Sequence, residues 1–288
     1  MIIKENIRDF HLDHIFDCGQ CFRWNRQQDG SYTGIAEGRP PVNIAFIRDE
    51  GETFSGRLEI DNAPEEDFEN FWKDYLDLGR DYSKIKRKLC EGDETMTKAV
   101  DFGQGLRILK QEKWETTLSF LISQNNNMGR IKGCIASLCE RFGQPAGVYQ
   151  GKAYYRIPAP EKLASLTEED LADCRLGYRA KYLIEAARQV SEDRREAFAQ
   201  IEQTDEEEAF TYLTGLCGVG PKVANCIMLF SMGKYGSFPI DVWVKQAMST
   251  FYGFDKKDLK AMAQYAKDHF GPYGGFAQQY LFYYIKSL

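Results

Sequence analysis

The chain has 288 residues, 43% of them hydrophobic and 28% charged, which excludes a disordered chain and leaves room for a sizeable core. Its formal net charge of −6 argues against a general polyanion binder, although local patches and backbone amides hold phosphates whatever the total. No apolar run approaches membrane-spanning length and Met1–Asn6 has no signal-peptide core, so a cytoplasmic protein is expected, its eight scattered cysteines reduced.

From the N-terminus to about Ile60 the residues have strand and turn character. Aromatic side chains at two-residue spacing mark Cys18-Gly19-Gln20-Cys21-Phe22-Arg23-Trp24, and Asp29-Gly30 predicts a hairpin turn. Gly34, Gly38-Arg39-Pro40-Pro41 and Glu50-Gly51 punctuate further strands, including Thr53 to Ile60. His11, His14, Cys18 and Cys21 are zinc-ligand types. Strand alternation would send His11 and His14 to opposite faces, and Cys18 and Cys21 likewise, so two cysteines in apolar surroundings beside a glycine turn is preferred.

From Pro64 the period becomes helical. Phe68, Phe71, Trp72 and Tyr75 share one face after the acidic first turn Pro64-Glu65-Glu66-Asp67. Further helices are predicted over Lys113–Gln124, Met128–Phe142, Arg179–Ser191, Glu206–Gly215, Pro221–Met232, Val242–Phe251, Lys256–His269 and Phe276–Lys286. A short strand pair is expected over Tyr149–Ile157 around Gly151. The class is α+β: a small antiparallel β-rich N-terminal domain, residues 1–92, packed on a mainly α-helical body, residues 93–288, in two helical subdomains.

The stretch from Thr204 to Lys245 carries the chemistry. Thr204 reads as an N-cap with Glu207 as its capping-box partner. Leu216-Cys217-Gly218-Val219-Gly220 then forms a turn, and Pro221 suits the first position of the next helix. Gly218 and Gly220 would let backbone approach a phosphate at that helix start. Lys222 sits against the helix macrodipole, so stability does not explain it; the field and the apolar neighbours Val223, Ala224 and Ile227 favour a neutral amine, as nucleophilic chemistry requires. The alternative is an exposed lysine holding a phosphate. Cys226 lies one turn on, on the same face. Asp241 reads as an N-cap whose ionised carboxylate can also stabilise a developing cation.

Six separated motifs then resemble one family. They are Gly19–Trp24, Gln124-Asn125-Asn126-Asn127-Met128-Gly129-Arg130, Leu176-Gly177-Tyr178-Arg179-Ala180, Gly218–Ala224, Pro239-Ile240-Asp241-Val242 and Gly271–Phe282. Across nearly the whole chain the sequence is similar to the helix–hairpin–helix 8-oxoguanine DNA glycosylase/lyases. The resemblance implies that Lys222 attacks C1′ of the damaged nucleotide and that Asp241 stabilises the cationic sugar. It implies that the extruded base lies between Cys226 and Phe282, with Gln278 on its Watson–Crick edge, Pro239 nearby and the Gly19 carbonyl reading N7–H. Asn125, Arg130, Tyr178 and Arg179 would read the orphaned cytosine and fill the gap. The backbone carbonyls of Thr214, Leu216 and Val219 would hold an optional monovalent or calcium ion beside a DNA phosphate. No cofactor is required, the expected partner is double-stranded DNA containing 8-oxoguanine, and a monomer, nucleoid-associated if prokaryotic, is expected. Trp243 departs from the pattern, standing where many relatives carry a phosphate-contacting histidine. Iron–sulfur relatives should show four cysteines after the aspartate, and no cysteine follows Cys226. A non-catalytic DNA-binding scaffold using the hairpin alone is the rival from another class.

Overall fold

A computed structural model describes the backbone of residues 1–288 and every side chain except that of Asp193. Five strands, β1 (Ile2–Arg8), β2 (Trp24–Arg26), β3 (Tyr32–Gly34), β4 (Val42–Arg48) and β5 (Ser55–Asp61), form one antiparallel sheet in the order β1-β5-β4-β3-β2. Period-two alternation buries Leu58 and Ile60 of β5, and the register sets Ile60 opposite both Ile2 and Ile44. The buried face packs on Phe68, Trp72, Tyr75 and Leu76, and Trp24 Nε1 donates to the Tyr75 hydroxyl at 2.9 Å. Those aromatics share a face as expected, but on a π-turn (Phe68–Trp72) running into a single helical turn, with Pro64–Asp67 a turn before it.

Of the run from Cys18 to Trp24, only Trp24 lies in a strand. Residues ahead of it form a short helix, α1 (Leu12–Phe16), and an irregular loop. This corrects the expectation for the histidines. Three residues apart at a helix start, His11 and His14 share a face, and their ring centroids lie 4.3 Å apart. His14 Nδ1 accepts from the Gly105 amide, and among the described residues no group of three or more His, Cys, Asp or Glu is positioned to hold a metal.

The body consists mainly of α2 (Tyr82–Cys90), α3 (Glu94–Phe102), α4 (Lys113–Ser123), α5 (Met128–Phe142), α6 (Arg179–Arg188), α7 (Glu206–Thr214), α8 (Pro221–Ser231), α9 (Val242–Tyr252), α10 (Leu259–Phe270) and α11 (Gly274–Ile285). A hairpin of β6 (Pro145–Tyr149) and β7 (Lys152–Tyr155) turns at Gln150-Gly151, both left-handed, and so begins earlier than predicted. Three helix ends also depart from expectation, two of them because a different side chain takes the cap. Asp205, not Thr204, caps α7, accepting from Glu208 N at 2.8 Å; the Thr204 hydroxyl bonds back to Ile201 O. Asp258 caps α10, while Asp255 bonds Lys257 N and holds the preceding residues in a turn. The helix predicted to Ser191 passes into a π-turn at Gln189, whose amide bonds Cys217 N and Gly215 O in the hairpin.

Two apolar cores result, one under the sheet and one among the helices, and the loop from Asp17 to Arg23 crosses between them. Phe16 and Cys21 belong to the first, Cys18 and Phe22 to the second. At this junction Arg23 bridges Glu37 at 3.1 Å and Glu115 at 3.3 Å, and donates to the Tyr155 carbonyl. Burial outweighs Arg23 and pushes the Glu115 carboxyl from 4.5 up to about 7. A raised carboxyl means that the folded chain holds this proton more tightly than the unfolded one. Its contribution is therefore fully present below the ordinary carboxylate range and is lost as pH rises through about 7. Urea unfolding should show wild-type stability falling between pH 4.5 and 7 relative to Glu115→Gln; a pH-independent difference would contradict the assignment.

Candidate active site

The hairpin between α7 and α8 depends on two glycines with different needs. Gly218 has φ 79°, and a Cβ there would lie 2.6 Å from the Tyr182 ring. Gly220 has an extended backbone, caps α8 without a side chain, and has no atom within 4 Å of an added Cβ. Protein packing explains the first glycine and not the second. The open space at Gly220 lies at a helix start with uncapped amides, where an anion can approach. Of the three carbonyls implied as ion ligands, Leu216 O already accepts from Val219 N at 3.1 Å, while Thr214 and Val219 flank it at the end of α7 and in the turn.

Lys222 follows Pro221 in the first turn of α8, its ammonium 4.9 Å from the centroid of the Phe120 ring. Phe120 stacks on Phe230 and meets Phe22 edge-on. Asp241 caps α9: Oδ1 accepts from Trp243 N at 2.9 Å and Val244 N at 2.8 Å. Its Oδ2 has no hydrogen-bond partner among the described residues. Lys222 and Asp241 line one cleft of about 780 Å³, together with Gly19, Phe22, Phe120, Asn125, Gly220, Trp243, Phe282 and Lys286.

Gly19 has φ 82°, and a Cβ there would lie 3.3 Å from the Phe282 ring. No hydrogen bond reaches its carbonyl among the described residues. The next residue anchors it. Buried Gln20 donates to Ile15 O and Arg107 O, accepts from Leu109 N, and has its own carbonyl held by Gln111. Gln278 lies one turn before Phe282 on α11, buried, with Oε1 lacking any partner. Cys226 and Pro239 are also buried and, like Gln278, do not line the cleft. Burial pushes the Cys226 thiol up to about 11, with Asp241 raising and Lys222 lowering it, so it is neutral near pH 7.

The residues implied as readers of the opposite strand separate. Arg130 and Asn125 are exposed, Asn125 with φ 47°, and Tyr178 is 50% exposed. Arg179 is 4% exposed, its guanidinium donating to the carbonyls of Gln124, Asn125 and Leu176. Gln124 ties the same loop to the hairpin through Gly218 O at 3.1 Å. Phe22, Phe120, Gln20 and Lys286 also belong to or support the site, although the sequence assigns them no role there. Only the buried glutamine had a signal, as a polar residue inside an otherwise apolar run.

A helix–hairpin–helix unit with a lysine in the first turn of its second helix, and an aspartate capping the helix that follows, marks a class of DNA-repair protein. The model of HhH-GPD superfamily base excision DNA repair proteins matches residues 118–271, and that of the 8-oxoguanine DNA glycosylase N-terminal domain matches residues 2–117. The chain belongs to the 8-oxoguanine DNA glycosylase family. It is similar to MBOgg1 in complex with a low-affinity DNA ligand (43% identity, TM-score 0.91, covering 99% of this chain and 95% of that one). It is similar also to the Clostridium acetobutylicum 8-oxoguanine glycosylase/lyase in complex with double-stranded DNA containing cytosine opposite 8-oxoG (41%, TM-score 0.90, covering 100% and 98%). The N-glycosylase/DNA lyase of Saccharomyces cerevisiae is 39% identical over 171 residues, 55% of this chain and 46% of the yeast protein, so the match spans less than half of that relative.

The two glycines should differ in how much alanine costs. Gly218→Ala meets both a left-handed backbone and Tyr182 and should lose about 2 kcal/mol or more. Gly220→Ala should cost under about 1 kcal/mol, the difference of an uncapped helix start. Urea unfolding of the two variants measures the contrast.

Proposed function

We propose that this chain is a bifunctional DNA repair enzyme that excises 8-oxoguanine and then nicks the strand at the resulting site. The observation that carries it is the sharing of one cleft by Lys222, Asp241, Gly19 and Phe282. The target base is inaccessible in a stacked duplex and must be extruded to reach such a cleft. Lys222 attacks C1′, the base departs, and the amine remains joined to the sugar as a Schiff base that permits β-elimination. Asp241 suits the cationic sugar, since its cap bonds occupy one carboxylate oxygen and leave the other free.

The free Gly19 carbonyl and the orphaned Gln278 oxygen support base recognition. Guanine presents N7 as an acceptor, which repels a carbonyl; the oxidised base carries N7–H and is accepted. A site built to receive a hydrogen bond rejects the partner that lacks the donor. Phe282 lines the cleft while Gln278, one turn before it, and Cys226 lie behind the lining, so a base between Phe282 and Cys226 requires the cleft to open there. Pro239 completes that pocket. Gly218 and Gly220 take a phosphate, with an ion on the carbonyls of Thr214, Leu216 and Val219 beside it. Arg130, Asn125 and Tyr178 face the opposite strand, and Arg179 joins them by releasing the carbonyls it holds. The two-domain division after residue 92, a monomeric state and a cytoplasmic, nucleoid-associated location belong to the same proposal; among the described residues no helix is long and apolar enough to cross a membrane.

Borohydride reduction on duplex DNA containing the lesion should trap a covalent adduct with the wild type and none with Lys222→Gln. An adduct from the variant would end the Schiff-base mechanism. Asp241→Asn retains an equally good helix cap, so it should fold and bind DNA while base release slows on the order of 100-fold. Unchanged base release would favour the scaffold reading. Across duplexes with each opposite base, the wild type should prefer cytosine, and Arg130→Ala and Arg179→Ala should each weaken that preference. A preference absent in the wild type, or intact in both variants, would remove the assigned roles.

A further inference from the structure

The charge at the cleft does not follow the charge of the chain. The protein carries a net −6, so any attraction for DNA must come from particular cations. Two line the cleft, Lys222 and Lys286, with Asp241 the single acidic residue among the lining side chains. Lys222 belongs to the chemistry proposed above, its ammonium over Phe120. Lys132 and Arg179, nearby in sequence to other cleft residues, are engaged by the carbonyls of Trp24 and of Gln124.

Lys286 differs from all of these. It is exposed, and among the described residues its ammonium makes neither an ion pair nor a hydrogen bond. What it does make is a contact with the Phe282 ring, 5.2 Å from the centroid. Phe282 lies on α11 and Lys286 is its C-cap residue four positions on, so the lysine stem leans back along the helix and over the ring. A cation at the C-terminus of a helix also complements the macrodipole, which accounts for a lysine at this position. It does not account for a side chain directed onto Phe282 beside Trp243 and the start of α9. A ring face is a weak restraint at an exposed site, and an arriving phosphate oxygen is the stronger partner for an ammonium.

We infer that Lys286 is a phosphate-binding residue, contacting the backbone of the strand whose nucleotide enters the cleft. The inference rests on the DNA reading above and adds a residue to it. With Lys286 swinging from ring to phosphate, Phe282 is uncovered as the strand docks, which joins strand binding to access for the base. Phosphate contact and base contact are separable, because only the first releases counterions.

The test is duplex affinity as a function of sodium chloride for the wild type, Lys286→Met and Lys286→Arg, on lesion-bearing and undamaged DNA of the same sequence. Lys286→Met keeps the apolar stem over Phe282 and removes the charge. It should bind several-fold more weakly at low salt, with the slope of log affinity against log salt reduced by about 1 on both duplexes. Lys286→Arg should retain the wild-type slope, and the ratio of 8-oxoguanine to guanine release should be the same in all three proteins. An unchanged slope in Lys286→Met would overturn the inference in favour of the dipole role. A changed lesion-to-guanine ratio would overturn it in favour of a base contact. A wild type that binds no duplex would overturn the DNA reading itself, whereas one that releases 8-oxoguanine with a slope indifferent to Lys286 overturns this inference alone.

Discussion

A helix start leaves backbone amides without partners, and this protein turns two such starts, those of α8 and α9, toward one cleft. They are finished differently. At α9 the amides of Trp243 and Val244 are satisfied by Asp241, so the carboxylate is held rigidly and its second oxygen remains available. At α8 there is no capping side chain, Pro221 removes one amide, and Gly220 keeps the approach open. One end is closed by a carboxylate that belongs to the protein; the other has no side-chain cap and stays open. The lysine in the first turn of α8 is placed against the dipole, so helix stability does not explain it.

The second dependence is the loop from Asp17 to Arg23. Its side chains alternate between the sheet core and the helical core, which fixes its path from both sides. Gln20 adds bonds in which donors and acceptor are all matched inside the protein. Each is worth on the order of 1 kcal/mol net, but leaving any one unmade in the interior would cost more. The consequence is a Gly19 carbonyl held at a defined place against Phe282. Under the proposed function that rigidity matters, since a loose acceptor would rotate to suit either base.

Much of this was legible along the chain, for local reasons. The helix Met128–Phe142 has its predicted bounds because an Asn cap, an apolar stripe and a glycine stop all lie within its own sequence. Asp241 and Pro221 were recognisable as helix-start residues for the same cause. The misplacements were also local, where two candidate side chains competed. Asp205 took the cap from Thr204, and Asp255 and Asp258 delayed α10. The histidine pair was misread because the period assumed, that of a strand, was wrong for a five-residue helix.

Sequence alone determined the residue types, the hairpin, the two helix starts and, through six ordered motifs, the family. Those depend on chemistry and spacing within a few residues, which the chain carries explicitly. Only the tertiary structure decided which groups remain free. Arg179 is occupied by three carbonyls, whereas Lys286, just past the last helix, has among the described residues no partner but the Phe282 ring. Nor does the order of residues say that Gly19 meets Phe282, or that Phe120, with Phe22 edge-on against it, lies under Lys222. Those contacts join segments far apart in the chain, and their geometry is set by how two cores pack against one loop.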